Sequence, residues 1–479
     1  GPIAGRLLIR RSGRPLSDGI PAFYTRAGFL TIVAPALQEV AAQVATEAWV
    51  IPLTAGPDNT DLAKVLEQEI ADDYFTAYVD SWNELLDDVT VAQGMTLQQA
   101  AQQLTQLAGP ASPLERLYQA ASRETDLTPP PAATTSPPAS RAEGSLAKAI
   151  ATGEPVTTRF AWLRELVATG DNGPSRLRQT IDSFGALGRQ MAQTAYLPTD
   201  AAPTLSAGSA AGQVADSAAS LPPPLARIAN EVARAATSMT SAATDDRVTT
   251  AWRDVEPFCR LVTGNRYPFY GQASQATSLD DFAALFGPQG RLEKFFATYI
   301  RPFVDTTAPA WRVHPVHGMA TDIDRPALEQ FQRAARIRDA FFADNPAAPS
   351  VRFSLEPLRL DATAETLTYA IGGQTLVYRH DPVRLWPMQW PPPDGQLTAQ
   401  IQVTPWVANE PGSLAFRGPF AFLRLIEAGT PKPDGKAPDR FILRYALGSR
   451  AASLRLTAAS IINPFNLQDL RQFRCPEIP

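Results

Sequence analysis

Through the first two-thirds of the chain, apolar residues recur at three- and four-residue steps. Between residues 61 and 89 the positions Leu62, Val65, Leu66, Ile70, Phe75, Val79, Trp82, Leu85, Leu86 and Val89 trace one face of a long helix, with Asp58, Asn59 and Thr60 available as N-caps. The same spacing predicts helices over 31–48, 96–107, 114–122, 175–196, 225–238, 248–262, 291–304 and 326–342, the last with Pro326 in its first turn, where a missing N–H does no harm. Residues 6–11 read as a short strand and 12–21 as a turn-rich connection. After Pro346 the period falls to two: Leu367, Tyr369 and Ile371 alternate up to Gly372-Gly373, a two-residue hairpin signal, and Leu376 and Tyr378 resume beyond it. Ile401 and Val403, then Phe441, Leu443, Tyr445 and Leu447, then Leu454 and Leu456 continue the alternation. Six or seven antiparallel strands are expected there, with one short helix over 420–427.

The expected class is therefore α+β: helical regions followed by a mainly antiparallel β domain. Residues 128–140 hold five prolines among Ala, Ser and Thr, a composition that suits a linker or exposed loop, and 197–220 is a second weak stretch, small and polar. The divisions expected are a helical region with a leading strand at 1–127, a Pro-rich linker or loop at 128–145, a helical domain at 146–345 and the β-rich domain at 346–479.

Composition narrows the function classes. With 44% hydrophobic residues in 479, the 44 prolines do not signal wholesale disorder. Lys plus Arg total 43 against 48 acidic residues, a net charge of −5 without a long single-sign block, which argues against nucleic acid as a partner. The best apolar run, near Leu30–Leu37, is interrupted by Pro35 and falls short of the ~20 residues that cross a bilayer. Gly1-Pro2 reads as a protease-cleavage scar, so the sequence is expected to be part of a longer chain.

Catalytic chemistry finds little support. Residues 429–437 (GTPKPDGKA) approach a phosphate loop, but the glycine spacing is one too long, Ala437 stands where Ser or Thr would hold Mg²⁺, and Pro431 and Pro433 oppose the loop-to-helix geometry. His314 and His317 flank Pro315 with no cysteine nearby, and His380 falls at a strand end, so no metal site is expected. Ser145-x-x-Lys148 has penicillin-binding-protein spacing without the companion triplets and reads better as a helix start. The acidic pairs Asp72-Asp73, Asp87-Asp88, Asp245-Asp246 and Asp280-Asp281 suit caps and solvated faces. Neither an enzymatic activity nor a cofactor is expected. Cys259 and Cys475 admit two readings: a disulfide tying the tail to the helical domain, or two buried thiols.

Several segments, in order, resemble the TssM/IcmF family of type VI secretion: Ile20-Pro21-Ala22-Phe23-Tyr24-Thr25, residues 78–86 (YVDSWNELL), Ser112-Pro113-Leu114, Gly264-Asn265-Arg266-Tyr267-Pro268-Phe269, Asp280-Asp281-Phe282, Phe286-Gly287-Pro288, Trp311, Gly418-Pro419-Phe420, Asn463-Pro464-Phe465 and Phe473-Arg474-Cys475-Pro476. The resemblance implies a periplasmic, non-enzymatic scaffold, membrane-anchored upstream. It would bind the outer-membrane lipoprotein TssJ, associate with the inner-membrane subunit TssL and self-associate in the assembled core complex. It also implies that the β-rich region carries the lipoprotein contact. Two proline-stiffened loops are the candidates there: Trp390, Pro391, Pro392, Pro393 and Asp394, with Trp390 as anchor, and Pro431, Lys432, Pro433 and Asp434. The alternatives are a periplasmic glycan-binding or glycan-cleaving protein using Trp386, Trp390 and Trp406, and the related IcmF subunit of type IV secretion.

Overall fold

In a computed structural model describing residues 4–37, 39, 59–129, 152–170, 173–198, 201–466 and 468–478, the long amphipathic run forms the helix Asn59–Asp88. Caps fall where short polar side chains precede apolar runs: Thr96 accepts from the Gln99 amide at 3.2 Å, Ser112 from Glu115 at 3.3 Å, Ser175 from Arg178 at 3.1 Å and Asp324 from Ala327 at 2.8 Å. The helices they open are Leu97–Leu107, Pro113–Glu124, Arg176–Ala195 and Arg325–Phe342. The proline-rich stretch from 130, Ser145, Lys148 and most of the helix expected at 31–48 lie outside the described residues.

The chain folds as two compact units. One comprises Gly1–Leu197, Thr204–Ala243 and His317–Met319; the other comprises Pro198–Pro203, Thr244–Val316 and Ala320–Pro479. This division differs from the one expected at 345/346. The change of period marks a change of secondary structure, not of core: the helices at 279–286 and 325–342 bury Phe282, Phe331 and Phe341 in the same cluster as the strands' Leu367, Tyr369 and Leu454. Two helical expectations also need correction. Residues 225–238 and 248–262 belong to one helix, Pro223–Thr263. The intervening small polar residues contain no breaker, and Thr240 bonds back to the Ala236 carbonyl at 2.7 Å. The weak stretch 197–220 contains the helix Ser206–Ala218, whose buried face is Ala207, Gly208, Ala211, Val214 and Ala218, too small to register as apolar periodicity.

In the first unit, strand β1 (Leu8–Arg10) pairs antiparallel with β2 (Val89–Val91), which follows the long helix directly. Tyr24 and Phe23 dock on that helix: Trp82 Nε1 donates to the Tyr24 carbonyl at 2.8 Å and Tyr74 Oη to the Phe23 carbonyl at 2.6 Å. Gly185 and Gly188 let the 176–195 helix meet 97–107 closely, since a Cβ at Gly185 would stand 2.5 Å from the Ala108 methyl. Asp88 fastens the β1–β2 pair, accepting from Arg10 Nε at 2.6 Å and from Ser12 through its amide at 2.7 Å and its hydroxyl at 2.6 Å. Burial raises the Asp88 pKa, but the Ser12 and Arg10 hydrogen bonds outweigh it and hold the carboxyl at about 2. A depressed folded-state pKa contributes stability that is complete above the unfolded value near 4 and is lost as pH falls toward 2. Asp88→Asn is therefore expected to destabilise the first unit at pH 7, with the gap to wild type shrinking below pH 4. Urea unfolding at pH 7 and pH 3 checks this, and an equal gap at both would refute it.

In the second unit, β3 (Val304–Asp305) and β4 (Arg312–Val313) form a small pair beside the helices. Two antiparallel sheets follow. Their strands are β5 (Val351–Leu360), β6 (Thr366–Ile371), β7 (Gln374–Tyr378), β8 (Trp386–Trp390), β9 (Thr398–Thr404), β10 (Ser413–Arg417), β11 (Lys432–Pro433), β12 (Arg440–Leu447) and β13 (Arg450–Ala458). The orders are β10-β9-β6-β7 and β11-β12-β13-β5-β8. Among the described residues nine strands replace the expected six or seven because β8, β10 and β11 are short edge strands, two of them carrying proline, with no clean alternation to read. The inner faces are those the alternation marks: Leu367, Tyr369, Ile371, Ile401, Val403, Phe441, Leu443, Tyr445, Leu447, Leu454 and Leu456 are all buried. The helix Ala421–Ala428 adds Phe422, Leu423, Leu425 and Ile426 to this core. Gly429 ends it where a Cβ would meet the Tyr445 ring at 2.6 Å.

Candidate interaction surface

Residues from several family-like segments converge inside the second unit. Tyr267 is buried with the Arg424 guanidinium 3.9 Å from its ring centre and that of Arg471 5.0 Å away. Its hydroxyl donates to Glu427 at 3.2 Å, Arg471 pairs with the same carboxylate at 2.7 Å and also donates to the Pro268 carbonyl, and Arg424 donates to the Ala273 carbonyl at 2.7 Å. Burial and the adjoining Glu427 raise the Tyr267 pKa well above the ordinary tyrosine range, so it remains a neutral donor. Phe282 lies at the centre of an aromatic group with Phe269, Phe286, Phe341, Phe342 and Phe420, with ring centres 5.0–6.3 Å away. These segments position one another; their chemistry is that of a core. Cys259 and Cys475 are joined as a disulfide with Cα atoms 6.0 Å apart, which fastens the tail to the end of the 223–263 helix.

The two proline-stiffened loops fare differently. Trp390 is not a loop residue: it ends β8, points inward and is 1% exposed. Its ring stacks on Phe422 at 4.3 Å and its Nε1 donates to the Pro419 carbonyl at 3.0 Å, so it cannot anchor a partner. The WPPPDG signal hid a strand end, because the alternation of β8 is interrupted by Pro387. With Trp390 in the core, the three tryptophans do not form a sugar-stacking face. Beyond it, Pro391 is half-buried, Pro392 buried, and Pro393 and Asp394 exposed. Asp394 accepts from the Gly373 amide at 2.7 Å and stiffens the β6–β7 hairpin. Lys432 and Pro433 are exposed as edge strand β11, flanked by half-buried Pro431 and Asp434, and Asp434 pairs with Arg455 at 2.7 Å. A proline at a sheet edge removes a donor to which another strand would otherwise pair.

The opposite end of the sandwich gathers the connections 361–365, 379–385, 405–412 and 448–449. They bond to one another: Glu365 N donates to the Thr404 carbonyl at 2.8 Å, Asp361 N to the Ala451 carbonyl at 3.0 Å, and Ser449 donates to Glu410 through its amide at 2.7 Å and its hydroxyl at 2.6 Å. His380 Nε2 lies 2.8 Å from the Ala364 carbonyl. Apolar side chains nevertheless face outward here: Leu385 is 64% and Trp406 60% exposed, with Val383 and Val407 also exposed. The expected partner loops do not include these; their signal in the sequence is Trp406 between Pro405 and a polar turn, flanked by clean strands.

Other candidates remain apart. Among the described residues no three His, Cys, Asp or Glu side chains cluster as metal ligands. Asp281 donates its amide to the Ser278 cap at 3.0 Å, and Asp245 accepts from the Asp322 amide at 3.1 Å. An apolar cavity of about 30 Å³ in the first unit, lined by Val91, Leu104, Met191, Val232 and Met239, has room for about one water.

Residues 1–126 match the family described as "IcmF-related: Intracellular multiplication and human macrophage-killing", and residues 353–460 match the "Type VI secretion protein IcmF C2-like domain". The whole chain is 32% identical to the type VI secretion system component TssM1 of Pseudomonas aeruginosa and spans 45% of that protein's length. Two solved structures share the fold. A type VI secretion system membrane core complex chain aligns with a TM-score of 0.61 at 17% identity, over 98% of this chain and 91% of that one. A type VI membrane complex chain aligns at 0.58 and 16% identity, over 95% and 94%.

Proposed function

The chain belongs to the TssM/IcmF family of type VI secretion components, and from that membership we propose that it is a periplasmic scaffold region of the secretion membrane core complex. In this reading it links the inner membrane to an outer-membrane lipoprotein of the TssJ kind. It also associates with a TssL-type inner-membrane subunit and with further copies of itself, and it performs no catalysis. The observation that carries the reading is identity to a TssM relative across the entire chain rather than over an isolated module. The fold shared with membrane-complex chains supports it. The Cys259–Cys475 bond supports the compartment, since stable disulfides form in oxidising surroundings and both cysteines of the chain are used. No helix among the described residues is long and apolar enough to cross a membrane.

Mixing the protein with the soluble domain of its cognate outer-membrane lipoprotein is expected to give a complex that co-elutes in gel filtration and titrates in calorimetry. Absence of binding at about 100 μM, a free energy weaker than roughly −5.5 kcal/mol, rejects the linkage.

A further inference from the structure

We propose that the loop end of the β sandwich, centred on Arg450 and Trp406, docks a partner-protein segment that presents a carboxylate beside an apolar side chain. Arg450 opens β13 on the inward-facing register of Ala452 and Leu454 and is only 2% exposed. One of its terminal nitrogens, Nη1, donates to the Pro405 carbonyl at 2.6 Å; Nε and Nη2 have no hydrogen-bond partner. Burying guanidinium N–H groups without acceptors is unfavourable, and native cores rarely tolerate it without a reason. The two unpaired nitrogens lie on one edge of the guanidinium plane and form the side-on fork that matches the two oxygens of a carboxylate.

The chain's own carboxylates do not fill that fork. Glu410 and Asp361 both interact with Arg450 electrostatically, but Glu410 is held by Ser449, and Asp361 accepts from Thr363 through its amide at 3.0 Å and its hydroxyl at 2.7 Å. What covers Arg450 is the 405–412 loop. A Cβ placed on Gly412 would lie 2.9 Å from the Trp406 ring and 3.6 Å from Arg450 Nη2, so indole and guanidinium both lie beside that glycine. Trp406 itself is largely exposed to solvent, as is Val407 beside it. An exposed indole next to a buried guanidinium with two nitrogens lacking hydrogen-bond partners is the composition of an interface hot spot: apolar area excludes water while the ion pair fixes the register. Gly412, which carries no side chain, is the residue of that loop beside Nη2. The open guanidinium fork decides for an acidic segment over a basic one, and the indole for a protein over a small anion.

The proposal rests on the scaffold reading, with the lipoprotein as source of the acidic segment. The test is calorimetric titration of the lipoprotein soluble domain into wild type, Trp406→Ala and Arg450→Lys, with the melting temperature of each recorded. Trp406→Ala and Arg450→Lys are each expected to weaken binding by about tenfold or more, Lys keeping the charge but losing the fork. Should Arg450→Lys fold poorly, Trp406→Ala decides alone, because its exposed ring contributes little to the core. Wild-type affinity in a folded Trp406→Ala overturns the docking site while leaving the scaffold reading intact. No binding by wild type removes both.

Discussion

Truncating Trp390 to alanine is expected to destabilise the second unit by about 3–5 kcal/mol, the range for removing a large aromatic from a packed core. The side chain is enclosed by Phe422 at 4.3 Å, Phe420 at 5.4 Å and Phe341 at 6.1 Å, drawn from a helix, a loop and a second helix. Removing it therefore opens a cavity where three elements meet and cannot be closed by shifting one of them. The Pro419 carbonyl also loses its Nε1 donor, which adds an unsatisfied acceptor. For a unit of this size the melting temperature should fall by about 10 °C. Trp390→Phe keeps most of the ring contacts and loses the hydrogen bond, so it should recover more than half of the loss. A melting temperature for Trp390→Ala within 2 °C of wild type, an allowance of about 1 kcal/mol, contradicts the packing described. Partner binding measured on this variant reports folding, in contrast to Trp406→Ala, where the exposed indole leaves the core untouched.

The contrast between these two tryptophans shows what a sequence can and cannot display. Inward positions of β6, β9, β12 and β13 were legible because each strand alternates cleanly for several residues, and burial follows from the pleat. Helix starts were legible at Thr96, Ser112 and Ser175 because capping is a local bond. The face of Trp390 was not, since a proline run after it mimics a turn and only the pairing of β8 with β5, Val351 opposite Trp390, sets its direction. The division into units was hidden for the same reason. Period distinguishes helix from strand, whereas Phe282 packs on Phe420, more than a hundred residues on, and Phe420 in turn packs on Trp390 of β8. The unpaired fork of Arg450 is likewise a tertiary fact: in sequence it is one more arginine in a hairpin, Gly448-Ser449-Arg450.

Converting Cys475 to alanine, paired with Cys259→Ala, is expected to lower the stability of the second unit by about 3–5 kcal/mol without changing its native secondary structure. The bridge closes a loop of 216 residues. Chain entropy alone then gives a ceiling of about 5 kcal/mol, acting on the unfolded ensemble, and removal of native bridges typically costs about 2–5 kcal/mol. The tail has other attachments in the folded state. Phe473 packs on Phe286 at 5.0 Å and Phe269 at 6.1 Å, Arg471 pairs with Glu427 at 2.7 Å, and Arg336 pairs with Asp469 at 2.6 Å. It should therefore remain docked at 25 °C, with the loss appearing as a melting temperature lower by about 10 °C and a larger denaturant slope as the released unfolded chain expands. The first unit contains neither cysteine, so a transition assigned to it should not move. Thiol titration of denatured, unreduced protein supplies the chemical check: no reactive thiol is expected, and two per chain would show that no bond had formed. If instead the double variant melts like wild type while the bond is present, the unfolded chain already holds the tail near the helix, and the entropic account is wrong.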